Sequence, residues 1–305
     1  MNKIEERQLN VSTFWHGSEL SSLEIACLLS FVRFGYNVTV FGYGIIKRLP
    51  SEITFVEADE ILESSWLDKF RVRGRPSLQH FSDLFRYLMI RKTNSIWIDA
   101  DLVCLNKFFP SKSGDLFALE SDGVINPAVL AINNTRPELD EIIKRAKAFG
   151  DGNDHAWGST GPGLIAGILG NDAILSAQQP SVFYPIDYED WWKPFLPSQR
   201  GFCEERCARS ATIHLWNNKI QTSGYWKDLA PPVHSFLNDC FRRADLLSVF
   251  KETCPQSVMT QIVENYEASK YDVRYVRLLP LTRMTAGRWG LALKQRVAKR
   301  SNGKS

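Results

Sequence analysis

The stretch that most constrains this chain is Ser95-Ile96-Trp97-Ile98, a mostly apolar run that stops at Asp99-Ala100-Asp101. Four such residues in a row predict a buried strand. Two carboxylates at i and i+2 then stand where that strand ends. In open α/β sheets, ligands bind outside the carboxyl ends of the strands, so the pair occupies a place suited to chemistry. Carboxylates suit Mg²⁺ or Mn²⁺, hard cations that often also hold a ligand's phosphates. Side chains leaving a strand end diverge, so one carboxylate can hold a metal while the other reaches a ribose or sugar hydroxyl. The plain alternative is a solvated Asp-x-Asp closing a strand.

The rest of the chain supplies partners for such a strand. Residues 11–15 form a short apolar run ending at His16-Gly17, and residues 37–41 are β-branched and apolar up to Gly42. Between them, Leu23, Cys27, Leu28, Phe31 and Phe34 recur at helical spacing, as do Leu84, Phe85, Leu88 and Met89 further on. Strands are also expected at residues 116–119, 128–132, 181–184 and 212–216, and helices at 137–148 and 163–169. Strand–helix alternation of this kind predicts an α/β fold with a mostly parallel sheet. Beyond about residue 240 the pattern turns helical and then basic. The expected division is a domain over residues 1–240 and a helical, basic C-terminal extension over 241–305.

Charge sharpens that division. The formal net charge is +3, with 37 Lys and Arg against 34 Asp and Glu. Ten of the bases and only one acid fall in residues 270–305, so the remaining 27 bases and 33 acids sum to −6. A general nucleic-acid binder would spread basic charge over its body, so no nucleic-acid partner is expected. The polar start of the chain has no apolar run after it, and no window approaches a membrane-spanning length, which predicts a cytoplasmic protein. Six cysteines are too sparse for a disulfide scaffold, and the Cys203/Cys207 spacing has no second metal-ligand pair near it.

Several familiar sites are absent. Gly42-Tyr43-Gly44 follows a strand, but Lys47 stands where a dinucleotide fingerprint needs its third glycine. There is no Walker-type loop, no GxSxG and no HExxH. Two chemistries remain that place Asp-x-Asp after a buried strand. An aspartate-nucleophile phosphohydrolase needs a later acidic pair, and the nearest candidate, Gly114-Asp115, has Leu119 where the second Asp belongs. A nucleotide-sugar glycosyltransferase needs partners for sugar hydroxyls. Asp83 and Arg86, at i and i+3 on the helix before the strand, share a face that offers an acceptor and a fork of donors.

With these flanks included, the sequence resembles family 32 of the glycosyltransferases, whose sugar-binding region contains a DXD motif. The resemblance rests on Phe14-Trp15-His16-Gly17, Leu20-Ser21, Ser82-Asp83-Leu84-Phe85-Arg86 and Ile96-Trp97-Ile98-Asp99-Ala100-Asp101, in that order. Asn126, Thr160-Gly161-Pro162 and Ile213-His214-Leu215-Trp216-Asn217 follow in the family's order, and the likeness covers about residues 10–240. It implies a GT-A-type, Rossmann-like nucleotide-sugar-binding fold. It also implies retaining, metal-dependent transfer of a hexose from a nucleotide sugar, a UDP-sugar foremost, to a saccharide or lipid-linked acceptor in capsule or lipopolysaccharide synthesis. Carried onto this sequence, Trp15, His16 and Gly17 would line the nucleotide pocket, and Asp83 and Arg86 would hold donor-sugar hydroxyls. Asn126, Gly161 and Pro162 would also border the donor. Asp99 would contact ribose or sugar and share the metal, Mn²⁺ or Mg²⁺, with Asp101, His214 and Asn217. No residue presents itself as nucleophile or base.

Two further segments invite a role. Asp187-Tyr188-Glu189-Asp190-Trp191-Trp192 joins carboxylates to aromatic rings, as an acceptor-sugar site requires, and Asp187, Asp190, Trp191 and Trp192 are its candidates; a loop whose tryptophans pack on the core is the equal alternative. Residues 278–305 interleave Leu, Val and Trp289 with Arg and Lys, which suits contact with an anionic membrane surface at the inner face of the membrane; a solvated disordered tail and a protein-docking helix are the alternatives, and Pro280, Gly287 and Gly290 break any long helix. A catalytically silent sugar- or nucleotide-binding protein is the rival from a different class.

Overall fold

The computed structural model describes residues 9–156 and 158–271; the expected membrane-contacting stretch, 278–305, lies outside them. Strand β1 (Leu9–Trp15) is followed by helix α1 (Ser22–Arg33), β2 (Tyr36–Gly42) and β3 (Thr54–Glu57). A small hairpin, β4 (Arg71–Val72) and β5 (Arg75–Pro76), precedes α2 (Leu78–Thr93), which leads into β6 (Ile96–Ile98). The main sheet has the order β3-β2-β1-β6-β8, with β8 (Val129–Leu130) at its edge. β1, β2, β3 and β6 run parallel; only β8 is antiparallel, pairing Trp97 with Leu130. The fold is therefore mixed α/β around a mostly parallel sheet, as the alternation predicts.

The chain builds outward from β1 to β3 and returns on the other side of β1 as β6. At such a reversal, outside the carboxyl ends of β1 and β6, open α/β sheets bind their ligands. Register puts Val11 beside Ile96 and Ser12 beside Trp97, so Trp15 and Asp99 leave the sheet at the same end.

Side-chain alternation explains the two-sided core. Val11, Val38, Val40, Ile96 and Ile98 join Leu23, Ala26, Cys27 and Phe31 of α1 on one face of the sheet. Phe14, Phe41, Trp97 and Leu130 meet Phe81, Leu84 and Phe85 of α2 and Ile142 of α3 (Pro137–Ala148) on the other. The first of these clusters also takes in Phe241 of α8 (Phe236–Arg243), Phe250, and Met259 and Ile262 of α9 (Gln256–Tyr271).

Three local expectations are corrected. Residues 181–184 were expected as a strand, but α5 (Pro180–Phe183) occupies them, with Pro180 supplying a pre-set φ at the first helical position. Residues 116–119 make only isolated bridges, among them Leu116 with Ala131 and Leu119 with Ile125. Helix α4 (Pro162–Ser176) runs well past residue 169, although Gly170 interrupts it at φ 65°. All six cysteines are buried and unpaired.

Candidate active site

The site begins on α2. Asp83 and Arg86 lie on its buried face, with side chains only 4% and 6% exposed, so this is no surface ion pair. Arg86 donates from one terminal nitrogen to Asp99 Oδ1 at 3.0 Å, and its other terminal nitrogen lies 3.5 Å from Asp83. The guanidinium also stacks on Trp97, 4.7 Å from the ring centre. Trp97 Nε1 donates to the same Asp99 oxygen at 2.6 Å. Both bonds fall on Oδ1 and so fix the carboxylate while leaving Oδ2 open among the described residues.

Asp83 is held from the opposite side by Thr160 Oγ1 at 2.9 Å, and Tyr87 fixes Thr160 through its carbonyl at 2.7 Å. Gly161, at the start of α4, approaches so closely that a Cβ there would stand 3.0 Å from Asp83 Oδ2. Burial raises the Asp83 pKa to about 6, against the opposing pull of Arg86 and the Thr160 hydroxyl. Arg86 Nε and Nη1 are buried without hydrogen-bond partners.

The second half of the site comes from far along the chain. After Asp99 a tight turn leads into β7 (Leu102–Cys104), which pairs antiparallel with β9 (Thr212–His214). The register sets Leu102 opposite His214 and so brings the imidazole beside Asp101. His214 Nε2 lies 3.2 Å from Asp101 Oδ2, and the same oxygen accepts the Asn217 backbone N–H at 2.7 Å. That N–H is the first of helix α7 (Asn217–Ser223), whose entry Trp216 makes in the left-handed region at φ 56°. The ring of His214 stacks on Trp216 with centres 4.0 Å apart, and Nδ1 is buried without a partner.

Asp99, Asp101 and His214 thus offer ligand atoms that all lie within 4.8 Å of one another. Two carboxylates and one imidazole fit a divalent cation; oxygen donors suit Mg²⁺, and the added nitrogen suits Mn²⁺ better. The charges are strongly interdependent. Burial raises the Asp99 pKa, and the neighbouring Asp101 adds to the rise while Arg86 opposes it. Burial also pushes Asp101 upward, but the charge and hydrogen bond of His214, together with the Asn217 backbone N–H, hold that carboxyl below its ordinary range. For His214 burial acts downward, yet Asp101, joined by Asp99 and Glu120, raises its pKa.

The other sequence candidates divide. Trp15 sits at the end of β1, half-buried, with Nε1 donating to the Glu19 carbonyl at 3.2 Å; His16 and Gly17 are exposed in the adjoining loop. Asn126 is buried and uses both ends of its amide internally, Nδ2 to Glu120 at 2.6 Å and Oδ1 from the Ala128 N–H at 2.8 Å. Gly161 and Pro162 open α4 beside Asp83. Asn217 enters through its backbone, because its side-chain oxygen accepts from Lys227 at 3.2 Å.

In the acceptor segment, Trp191 is completely buried against Phe195 and Tyr266, so neither face is open to a sugar. Trp192 is half-buried, Asp190 pairs with Lys193 at 2.7 Å, and Asp187 lies 3.9 Å from Arg206. Tyr188 stands edge-on to Trp216, which links this loop to the His214 side of the site.

Sequence reasoning missed Trp97 as the side chain that holds Asp99, Thr160 as the partner of Asp83, and Lys227, which donates to Asn217 and pairs with the buried Glu24. Thr160 stood inside the Thr160-Gly161-Pro162 motif, and Ser21-x-x-Glu24 reads as a capping box. Nothing in the spacing marks Lys227.

Residues 143–242 match the family model described as the alpha 1,4-glycosyltransferase conserved region. The match includes Thr160, Gly161, the 187–192 loop, His214 and Asn217, and stops short of Asp99 and Asp101. The chain is 23% identical over 198 residues to lactosylceramide 4-alpha-galactosyltransferase of Rattus norvegicus, which covers 59% of this chain and 54% of the relative. It is 24% identical over 193 residues to the Homo sapiens protein of that name, covering 58% and 52%. The chain thus matches about half the length of these relatives. Among solved structures, PaToxG Glycosyltransferase aligns with a TM-score of 0.43 at 15% identity, over 54% of this chain and 69% of that one.

Proposed function

We propose that this chain is a metal-dependent glycosyltransferase of GT-A type. It would move a hexose from a nucleotide sugar to a saccharide or glycolipid acceptor, with retention at the anomeric carbon. The observation that carries the reading is the meeting of Asp99, Asp101 and His214 within 4.8 Å, at the carboxyl end of β6 and beside the Arg86–Asp83 pair. The local match to an alpha 1,4-glycosyltransferase region supports it from an independent direction.

Each residue has a part that its surroundings suit. Asp101 and His214, with Asp99, form the ligand set for Mn²⁺ or Mg²⁺. A bound cation there would neutralise charge gathering on the departing diphosphate. Arg86, stacked on Trp97, is rigid enough to donate to donor-sugar hydroxyls, and Asp83 can accept from them. Trp15, His16 and Gly17 border the crevice where a nucleotide would enter. The acceptor would approach along the Asp187–Trp192 loop, with Tyr188 and Trp192 as its aromatic surfaces. A UDP-sugar donor, a role in capsule or lipopolysaccharide synthesis and attachment to the inner membrane face through residues 278–305 complete the proposal.

Turnover of UDP- and GDP-linked sugars by purified protein with Mn²⁺ tests this, with Asp101→Ala as control. Metal-dependent turnover that Asp101→Ala abolishes is expected. Absence of both binding and turnover across these donors overturns the reading, and binding without turnover leaves a catalytically silent sugar-binding protein.

A further inference from the structure

The N-terminus of α1 follows β1, and in doubly wound sheets such a helix end receives phosphate. Here the chain caps it with its own groups. The Ser22 N–H donates to Asp228 Oδ1 at 2.8 Å, the Leu23 N–H to the Lys227 carbonyl at 3.0 Å, and Ser21 pairs with Glu24. Arg48 closes the cap by pairing with Asp228 at 2.8 Å. A diphosphate in this crevice therefore needs cationic partners other than the helix end.

Lys227 is placed to be one. Its ammonium pairs with Glu24 and donates to Asn217 Oδ1 at 3.2 Å. Asn217 is the residue whose backbone N–H holds Asp101 at 2.7 Å, so the ammonium stands one residue removed from the carboxylate cluster. On its other side the Trp15 ring centre lies 5.9 Å away, at the end of β1. Glu24 is shut away with its side chain 2% exposed, while Lys227 keeps 16%, so the lysine is the more accessible partner of the pair. An ammonium has three donors. Among the described residues, Lys227 uses two of them, on Glu24 and Asn217.

We propose that Lys227 is the chain's own contact to the donor diphosphate, aimed by Glu24 and Asn217, with one N–H kept for a phosphate oxygen. The proposal rests on the nucleotide-sugar reading above. In transfer, the bond between the anomeric carbon and the phosphate oxygen breaks with its electron pair going to that oxygen. The acceptor hydroxyl oxygen bonds the carbon, and its proton passes to the departing diphosphate. Negative charge rises on the phosphate as the bond breaks, so a fixed ammonium holds the leaving group more strongly late in the step than early.

The test measures UDP and GDP binding with Mn²⁺ by calorimetry, beside UMP and GMP, in wild type, Glu24→Gln and the Lys227→Met/Glu24→Gln double variant. The double variant avoids leaving a buried carboxylate unpaired. Its preference for diphosphate over monophosphate should fall about tenfold or more, the size of one charge-assisted hydrogen bond. Glu24→Gln, which keeps the ammonium, should lose no more than about threefold on the same grounds. On the unmodified protein, acetylation of Lys227 should slow when UDP or GDP and Mn²⁺ are bound, whatever the variants' folding. An unchanged preference in the double variant, or undiminished acetylation with diphosphate bound, overturns the lysine assignment alone. A wild type that binds no nucleoside diphosphate overturns the donor reading and this assignment with it.

Discussion

At the scale of single residues, the site works by burying groups that would ordinarily seek water. Asp83 is the clearest case, since its pKa is raised to about 6. A carboxyl whose pKa is higher folded than unfolded holds its proton more tightly in the fold, so the charged form costs stability as pH rises from about 4 to about 6. Asp83→Asn stays neutral throughout. Its stability relative to wild type should therefore improve across that window by at most about 2–3 kcal/mol and then level off. Urea denaturation at several pH values reads this directly; a flat difference would mean that Arg86 keeps Asp83 ionised in both states. Trp97→Phe isolates a second contact. It removes the 2.6 Å donor to Asp99 without removing the ring beneath Arg86. A loss of about 1–3 kcal/mol is expected from a donor removed at a buried charged acceptor, and weaker Mn²⁺ binding should accompany it.

At the scale of elements, the site depends on short pieces tied together by side chains. β8 is only two residues long, and its Val129 N–H donates to Tyr184 Oη at 2.9 Å, while that hydroxyl donates to the Asn126 carbonyl at 3.0 Å. One phenol thus joins the sheet edge to the end of α5. Tyr184→Phe leaves a buried N–H and a buried carbonyl unpaired, and should cost about 1–3 kcal/mol in thermal or chemical unfolding. If stability is unchanged, the tie is incidental. The expectation of a strand over residues 181–184 failed at this scale. Apolar Val182 and Phe183 satisfy either a short strand or one helical turn, and Pro180 at the helix start decides for the turn.

At the scale of the whole molecule, the main sheet, α1 and the segments after residue 229 share one core, so the 187–192 loop is braced from behind. Trp191 belongs to that brace. Trp191→Ala should destabilise the protein by about 3–5 kcal/mol, as removal of a fully buried large aromatic does. Trp192→Ala should cost far less and weaken acceptor use instead. Equal stability losses for the two would remove Trp192 from the proposed acceptor surface. For the basic C-terminal stretch, cosedimentation with anionic liposomes is expected to fall on deleting residues 278–305, most visibly at low salt, where screening is weakest; unchanged sedimentation would remove the membrane proposal.

How much of this was legible beforehand depends on the range of each interaction. The apolar run 95–98 with Asp99 and Asp101 at its end, the i, i+3 pair Asp83 and Arg86, and the strand–helix alternation are local patterns. Backbone sterics and side-chain periodicity act over a few residues, and so the sequence by itself determined the α/β class and one wall of the site. His214 beside Asp101, Thr160 against Asp83 and Lys227 between Glu24 and Asn217 join residues 113, 77, 203 and 10 positions apart. Those contacts follow from strand order, from the β7–β9 register and from which buried charges needed a partner. Each is a choice among many spacings that the chain would tolerate, because desolvation penalises an unpaired charge wherever along the sequence its partner lies. The family resemblance already sets His214 with Asp101; for Thr160 and Lys227 only the folded structure makes that choice.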